Sequence, residues 1–188
     1  VPVGRIFGIT VGNQHKNFED RFYLGARASF GNYFKWGYLS TNFEYGTFFK
    51  DSNTEQNAFT FQANYFTNLI DLGENWKLRQ FIKPQITIGN NRKPINDDYV
   101  SLNENTGFQG YYGAGTRSTN YAGISGFNSP LYGTKKFLLS TQTQFYSPWN
   151  LGGFRINPYV VCTSGIIADQ TKNILKSKLY SSIGIGVI

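Results

Sequence analysis

Alternation of apolar and polar side chains at every second residue is the feature that most constrains this chain. Between Lys136 and Tyr146, one face carries Phe137, Leu139, Thr141, Thr143 and Phe145, and the other carries Ser140, Gln142 and Gln144. A period of two residues is that of a β-strand with one apolar and one polar face. The same pattern recurs along the chain, so the sequence predicts an all-β antiparallel fold of about eight strands.

The other predicted strands lie near residues 5–12, 21–34, 39–45, 59–65, 82–88, 154–163 and 179–187. Polar segments at 13–20 and 50–57 are expected to be loops, and Gly73-Glu74-Asn75 is expected to be a short turn. Pro84 falls inside a predicted strand and has no N–H for the ladder, so we expect a bulge or a locally broken pairing there.

Composition supports a β fold and limits the chemistry. Aromatic residues make up 18% of the chain, and aromatic residues are enriched in strands. A single cysteine, Cys162, excludes an internal disulfide framework and a cysteine-rich metal site. The net charge of +7 is spread over loops and strand ends without a basic cluster, so we expect no nucleic-acid partner.

The sequence has no apolar run of the length that a transmembrane helix requires. A transmembrane strand needs only about 9–11 residues with apolar side chains at alternate positions, and the mean hydropathy of -0.36 is compatible with that. The predicted connections alternate between short and long, as in outer-membrane barrels. All three tryptophans, Trp36, Trp76 and Trp149, lie at the short connections. They are expected to form an interface belt at the periplasmic rim, because indole rings favour membrane–water interfaces.

A soluble β-sandwich or lipocalin-like barrel remains the alternative. It would bury its apolar face inside and expose the polar one, and periodicity alone does not separate the two cases. Strand length, the asymmetry of the connections and the tryptophan positions favour the membrane barrel, which has to close because lipid satisfies no unpaired strand edge.

The longest predicted connection, residues 101–133, carries Phe108-Gln109-Gly110-Tyr111 and precedes a strand that ends in Ser147-Pro148. This arrangement resembles the BamA/TamA-like surface-antigen superfamily of outer-membrane β-barrels. In that family a Val/Ile-Arg-Gly-Phe/Tyr motif lies on a long loop that folds into the barrel lumen. The match extends from about Tyr99 onward, through the strands near 157–165 and 180–187.

The resemblance implies a sixteen-stranded barrel of which this chain supplies about eight strands. Residues 1–188 would then be one outer-membrane β-barrel domain, incomplete, with a lumen-folding loop at 101–133. The family's loop arginine contacts two carboxylates on the lumen wall, at positions that correspond here to Gln144 and Thr163. All three positions are neutral in this chain, and the two wall residues are expected to lie within reach of the side chain of Gln109.

The resemblance further implies a protein of the Gram-negative outer membrane that assists insertion or translocation of outer-membrane or secreted proteins. Its expected partners are the lipid bilayer, lipopolysaccharide, and other outer-membrane complex subunits or client proteins, and it would be no enzyme and use no cofactor. The alternatives are an accessory or structural barrel without transport activity, the barrel carrier of a patatin-like enzyme domain, and, structurally, a small barrel closed by eight strands.

Other candidate sites have simpler explanations. His15, the only histidine, lies in a polar segment without partners for a catalytic triad. Asp97-Asp98 is expected to be solvated. The glycine-rich run 107–115 has no helix start after it, which a phosphate-binding loop needs. Glu44 is expected to face the lumen and to pair with Arg27 in a structural network.

Overall fold

The computed structural model describes residues 3–16, 19–51, 53–91, 99–104 and 123–188. The long strands in these residues are β1 (Gly4–Lys16), β2 (Glu19–Phe34), β3 (Gly37–Lys50), β4 (Asn53–Thr67), β6 (Trp76–Asn90), β9 (Lys135–Tyr146), β12 (Pro158–Ala168) and β13 (Leu179–Val187). Short strands are β5 (Ile70–Gly73), β7 (Val100–Ser101), β8 (Tyr132–Gly133), β10 (Asn150–Leu151) and β11 (Phe154–Arg155), and a 3₁₀ turn covers Ile174–Lys176.

The long strands form one antiparallel sheet in the order β1-β2-β3-β4-β6-β9-β12-β13, with β5 paired to the start of β6. The predicted antiparallel all-β fold of about eight strands is therefore confirmed. Within the described residues β1 and β13 are not paired with each other, so the sheet is open. A small barrel closed by these eight strands alone does not describe this structure.

Strand register aligns the alternating side chains into two continuous faces. Phe43 pairs with Phe61, which pairs with Ile86, while Asn42 pairs with Gln62 on the opposite face. We call these the apolar face and the polar face. A slip of one residue would invert a whole strand, and no slip breaks this pattern across the centre of the sheet.

The two faces differ in how they are covered. Side chains of the apolar face are open to solvent at both edges of the sheet, with Ile9 79% and Ile185 83% exposed. The largest buried side chains of the sheet itself, Tyr38, Gln56 and Leu138, belong to the polar face. The covered side of this sheet is therefore the polar one.

Most described residues of two polar segments predicted to be loops, 13–20 and 50–57, belong to strands instead. Pairing continues to Lys16↔Glu19 at one hairpin and to Lys50↔Asn53 at another. Ladder hydrogen bonds join backbone groups, so a hairpin extends through residues whose side chains carry no apolar pattern. Between the long strands, the long connections are those after β6, after β9 and after β12. Strand β2 alone spans roughly 50 Å at about 3.3 Å per residue.

The predicted disturbance at Pro84 is a local break in pairing. The β4–β6 ladder pairs Gln62 with Gln85 and Tyr65 with Ile82, and it has no pair at Pro84. The register is the same on both sides of this gap, so the missing N–H of proline interrupts the ladder without a bulge. On its other edge Pro84 still pairs with Leu139.

The turn predicted at Gly73-Glu74-Asn75 closes the β5–β6 hairpin. Glu74 and Asn75 have φ values of 50° and 65°. Two successive positive φ angles are typical of the type I′ turn, whose twist matches that of paired strands.

Candidate functional site

The base of the long loop is the most highly organised feature outside the sheet. Its two described arms, 99–104 and 123–133, are joined by the pairs Val100↔Gly133 and Ser101↔Tyr132. Beyond them, the Ile124 N–H donates to the carbonyl of Leu102 at 2.9 Å. The arms therefore leave and return side by side, so the loop base is held as one unit.

One backbone and two side-chain hydrogen bonds add three further links between the arms. The Glu104 N–H donates to the carbonyl of Phe127 at 2.9 Å, and the Glu104 carboxylate accepts from the Gly126 N–H at 2.8 Å. The Asn103 side-chain oxygen accepts from the Ser129 N–H at 2.8 Å. Glu104 is thus a capping residue for the returning arm.

The loop base lies on the polar face of the sheet. Leu102 and Ile124 form a buried cluster with Leu138 of β9, all three at most 2% exposed. Phe127 packs against the same cluster, and its ring meets that of Tyr180 edge-on with 5.2 Å between centroids. Apolar residues of the loop base thus contact apolar residues of the polar face at this end of the sheet.

Glycines at two positions permit this close approach. A Cβ on Gly165 of β12 would lie 2.8 Å from Cδ2 of Leu102 and 3.1 Å from Cδ1 of Leu138. A Cβ on Gly123 would collide with the backbone carbonyl of Asn103. Neither glycine could be identified from the sequence, because a glycine that is required by a tertiary contact has no distinctive pattern in its neighbouring residues.

The predicted motif residues, Phe108, Gln109, Gly110 and Tyr111, lie outside the described residues. So do Asp97, Asp98, Arg117 and the glycine-rich run 107–115. The hydrogen bond expected from Gln109 to the sheet remains a prediction.

The two predicted wall partners are described and share the polar face, but they lie apart. Gln144 pairs with Tyr159, whereas Thr163 pairs with Ser140. This difference of four residues corresponds to about 13 Å along the strands, so one glutamine side chain reaches one of them and not both. Thr163 is 5% exposed, its hydroxyl lies 3.3 Å from that of Ser140, and it is two residues from Gly165 beneath the loop base.

The three tryptophans lie at the same end of the sheet, where β2 meets β3, β5 meets β6, and β9 leads to β10. Trp76 and Trp149 contact each other edge-on at 5.0 Å. Trp36 stacks on Phe34 at 4.8 Å and also meets Tyr65 at 5.2 Å. The structure therefore gathers them with neighbouring aromatic rings; their role as an interface belt remains a prediction.

The centre of the polar face carries a hydrogen-bonded group. Arg27 and Glu44 are directly opposite each other in register, as the sequence led us to expect. The Arg27 guanidinium, however, donates to Asn42 at 2.9 Å and to Ser29 at 3.3 Å, and the Ser29 hydroxyl donates to Asn42 at 2.6 Å. No ion pair joins Arg27 to Glu44 in the described part of the chain.

An aromatic cluster on the polar face near the tryptophan end was not predicted. Ring centroids of Tyr33 and Tyr38 are 4.9 Å apart, those of Tyr38 and Phe66 5.1 Å, and those of Phe66 and Phe81 5.8 Å. The Arg79 guanidinium lies 5.2 Å from the centroid of Phe66. Each of four strands carries an aromatic residue at a position of the polar face, and this is the sequence signal that could have indicated the cluster.

A second unpredicted cluster lies on the polar face at the opposite end. The Arg21 guanidinium contacts the Glu55 carboxylate at 3.3 Å, with both side chains largely covered at 13% and 16% exposure. It also lies 5.1 Å from the ring centroid of Phe48 and donates to Gln14 at 3.2 Å. These contacts join β1 to β4 at the end of the sheet opposite the tryptophans.

Groups typical of catalysis or metal binding do not converge in the described residues. His15 contacts Asp20 at 2.6 Å, and both side chains are more than 70% exposed. In the same residues no three His, Cys, Asp or Glu side chains come together as a metal site would require. No helix in the described ranges is long and apolar enough to cross a membrane.

Comparisons with protein-family models, with curated proteins and with solved structures gave no match to this chain.

Proposed function

We propose that this chain forms part of the wall of an outer-membrane β-barrel, with its apolar face toward lipid and its polar face toward the lumen. We further propose that the barrel assists insertion or translocation of outer-membrane or secreted proteins. The observation that carries the first proposal is the covering of the polar face by the loop base while the apolar face stays open.

This observation opposes the soluble alternative. A soluble barrel or sandwich buries its apolar face against itself, because each Å² of apolar surface removed from water contributes about 25 cal/mol. Here the exposed apolar side chains extend from Phe7 on β1 to Ile185 on β13. Soluble monomers seldom leave an apolar surface of that extent uncovered, whereas a lipid environment favours it.

Element lengths and aromatic positions support the same environment. Each of the eight long strands has at least the nine residues of β13, which is about the length that crosses a bilayer core. The grouped tryptophans would lie in the interface at the periplasmic rim. The unpaired edges of β1 and β13 would join further strands of the same barrel, since an open edge is not tolerated in lipid.

The assembly role rests on the resemblance of the 101–133 loop region to the surface-antigen superfamily. In this proposal, the loop base fixes a loop inside the lumen, and the barrel offers a strand edge to a client strand by β-augmentation. The ordered arms at 99–104 and 123–133 support a loop held in one place. The residues that would act on a client lie outside the described part of the chain.

Two measurements test the two parts of the proposal separately. Mass spectrometry of the protein purified from its native membrane should give a mass well above the 21.3 kDa of this chain; a mass near that value would contradict the sixteen-stranded barrel. In liposomes, the native protein should accelerate folding of an unfolded outer-membrane protein above the rate in protein-free liposomes. An unchanged rate would contradict the assembly role and would not affect the proposal that the chain forms part of a barrel wall.

A second candidate, an accessory or structural barrel without transport activity, is favoured by the wall residues. Gln144 and Thr163 are neutral and lie about 13 Å apart along the strands, so they do not form the charged cluster that the resemblance implies. This candidate predicts a normally folded barrel, visible as heat-dependent migration on gels, together with no acceleration of client folding.

A further inference from the structure

A cavity of about 530 Å³ lies at the end of the sheet opposite the tryptophans. Its walls come from the returning loop arm (Leu131 and Tyr132), from the end of β12 (Ile167) and from the connection 169–178. A volume of this size is typical of small-molecule sites. The cavity therefore joins the loop base to the β12–β13 connection.

One side of the cavity is cationic. Lys172, Lys176 and Lys178 line it, and among the lining residues that the structure describes Asp169 is the one with an acidic side chain. None of the three lysines forms an ion pair with another residue of the described ranges. The three ammonium groups are exposed and outnumber the single carboxylate among the described lining residues, so their combined charge favours an anion.

Aromatic and apolar surface lies beside the lysines. Tyr180 and Tyr132 line the cavity together with Ile167. Lys178 Nζ lies 5.4 Å from the centroid of the Tyr180 ring, and Phe127 supports that ring from the loop base. A ligand held here would place its charge among the lysines and its body against tyrosine.

The connection that presents the lysines is ordered by its own hydrogen bonds. Asn173 caps the 3₁₀ turn by accepting from the Leu175 N–H at 3.0 Å, and its carbonyl accepts from the Ser177 hydroxyl at 3.2 Å. Lys135 of β9 donates to the carbonyl of Gln170 at 3.0 Å. A preformed turn reduces the ordering cost of binding.

From this arrangement we infer that the cavity binds the phosphate group of a phosphorylated sugar. Lysine ammonium groups bind phosphate as point charges through charge-assisted hydrogen bonds, and a sugar ring has the size that the remaining volume and the tyrosine side accept. The phosphosugar is either free in solution or part of a glycolipid headgroup, and both sources present the same chemistry. This inference does not depend on the assembly role proposed above.

The test uses the full-length protein in detergent micelles at low salt and measures binding by isothermal titration calorimetry. The probes are glucose 1-phosphate, glucose, inorganic phosphate, and a phosphorylated lipid A in mixed micelles. We expect saturable binding of glucose 1-phosphate that weakens as salt screens the lysines, and no binding of glucose. Lipid A binding no more tightly than glucose 1-phosphate identifies a soluble source, and lipid A binding clearly more tightly than glucose 1-phosphate identifies a headgroup.

Variants then locate the site. Lys176→Gln should weaken phosphosugar binding about tenfold, because it removes one charge-assisted hydrogen bond. Lys35→Gln, a matched change of an exposed lysine at the tryptophan end, should leave affinity unchanged. Heat-dependent gel migration verifies that both variants fold. Absence of saturable phosphosugar binding, binding of inorganic phosphate alone, or equal affinity in the two variants would overturn the inference.

Discussion

At the scale of single residues, Gly165 shows how the loop base constrains the sheet. Gly165→Ala would bring a methyl group to 2.8 Å from Leu102 and 3.2 Å from Ile124. Overpacking of this kind costs about 1–3 kcal/mol, so we expect a lower free energy of unfolding in urea. Gly8→Ala is the control, since a Cβ there meets no atom within 4 Å. Equal losses in both variants would show that the loop base does not pack on β12.

The Arg21–Glu55 pair is a second residue-scale feature with a measurable contribution. Both side chains are largely covered, so Glu55→Gln should lower the free energy of unfolding by about 1.5–3 kcal/mol through loss of a charged hydrogen bond. The exposed His15–Asp20 pair provides the control, because Asp20→Asn should cost at most about 1 kcal/mol.

A double-mutant cycle separates this pairing from general effects of substitution. Arg21→Gln combined with Glu55→Gln should cost less than the two single changes together, because neither charge is then left without its partner. Additive losses would mean that Arg21 is held by Phe48 and Gln14 and not by the carboxylate.

At the scale of elements, the position of the loop base favours Thr163 over Gln144 as the hydrogen-bond partner of Gln109. The loop base contacts β12 at Gly165, so Thr163 is the wall position nearest to the loop, whereas Gln144 lies about 13 Å farther along the strands than Thr163. Under the proposed placement of the loop in a lumen, Gln109→Arg should destabilise the protein, since the new charge would meet no carboxylate at these positions. Thr163→Asp should restore stability in that background, and Gln144→Glu should not, as measured by the temperature of unfolding on gels. Neutral behaviour of Gln109→Arg, or rescue by Gln144→Glu alone, would contradict the placement.

Elements also show what the sequence could predict and what it could not. Alternation located all eight long strands, because each has a clear period of two. It failed at Asn13 and Asn53, where strands continue through polar residues on backbone pairing alone, and it missed β5, which has only four residues. The loop base depends on Leu102 and Ile124, isolated apolar residues whose partners are distant in sequence, so no local pattern could indicate them.

At the scale of the whole molecule, the sheet is a single layer with opposite environments on its two sides. Aromatic side chains cover the polar face near the tryptophan end, and the loop base covers it at the other end. Between them lies the polar group of Arg27, Ser29 and Asn42. A partly covered polar face and an open apolar face are the arrangement expected of a barrel wall.

This two-sided arrangement predicts a labelling pattern for the whole sheet. In a Cys162→Ala background, which removes the native thiol, single cysteines replace Phe61 or Val160 on the apolar face and Gln62 or Gln142 on the polar face. After reconstitution in liposomes, a lipid-soluble maleimide should label the first pair and leave the second unlabelled, because register fixes each face as a set. A water-soluble maleimide should show lower reactivity at the first pair than at the second. Lipid-soluble labelling of Gln62→Cys and Gln142→Cys in place of the other two would mean that the apolar face is turned inward, as in a soluble barrel, and would contradict the proposed membrane environment.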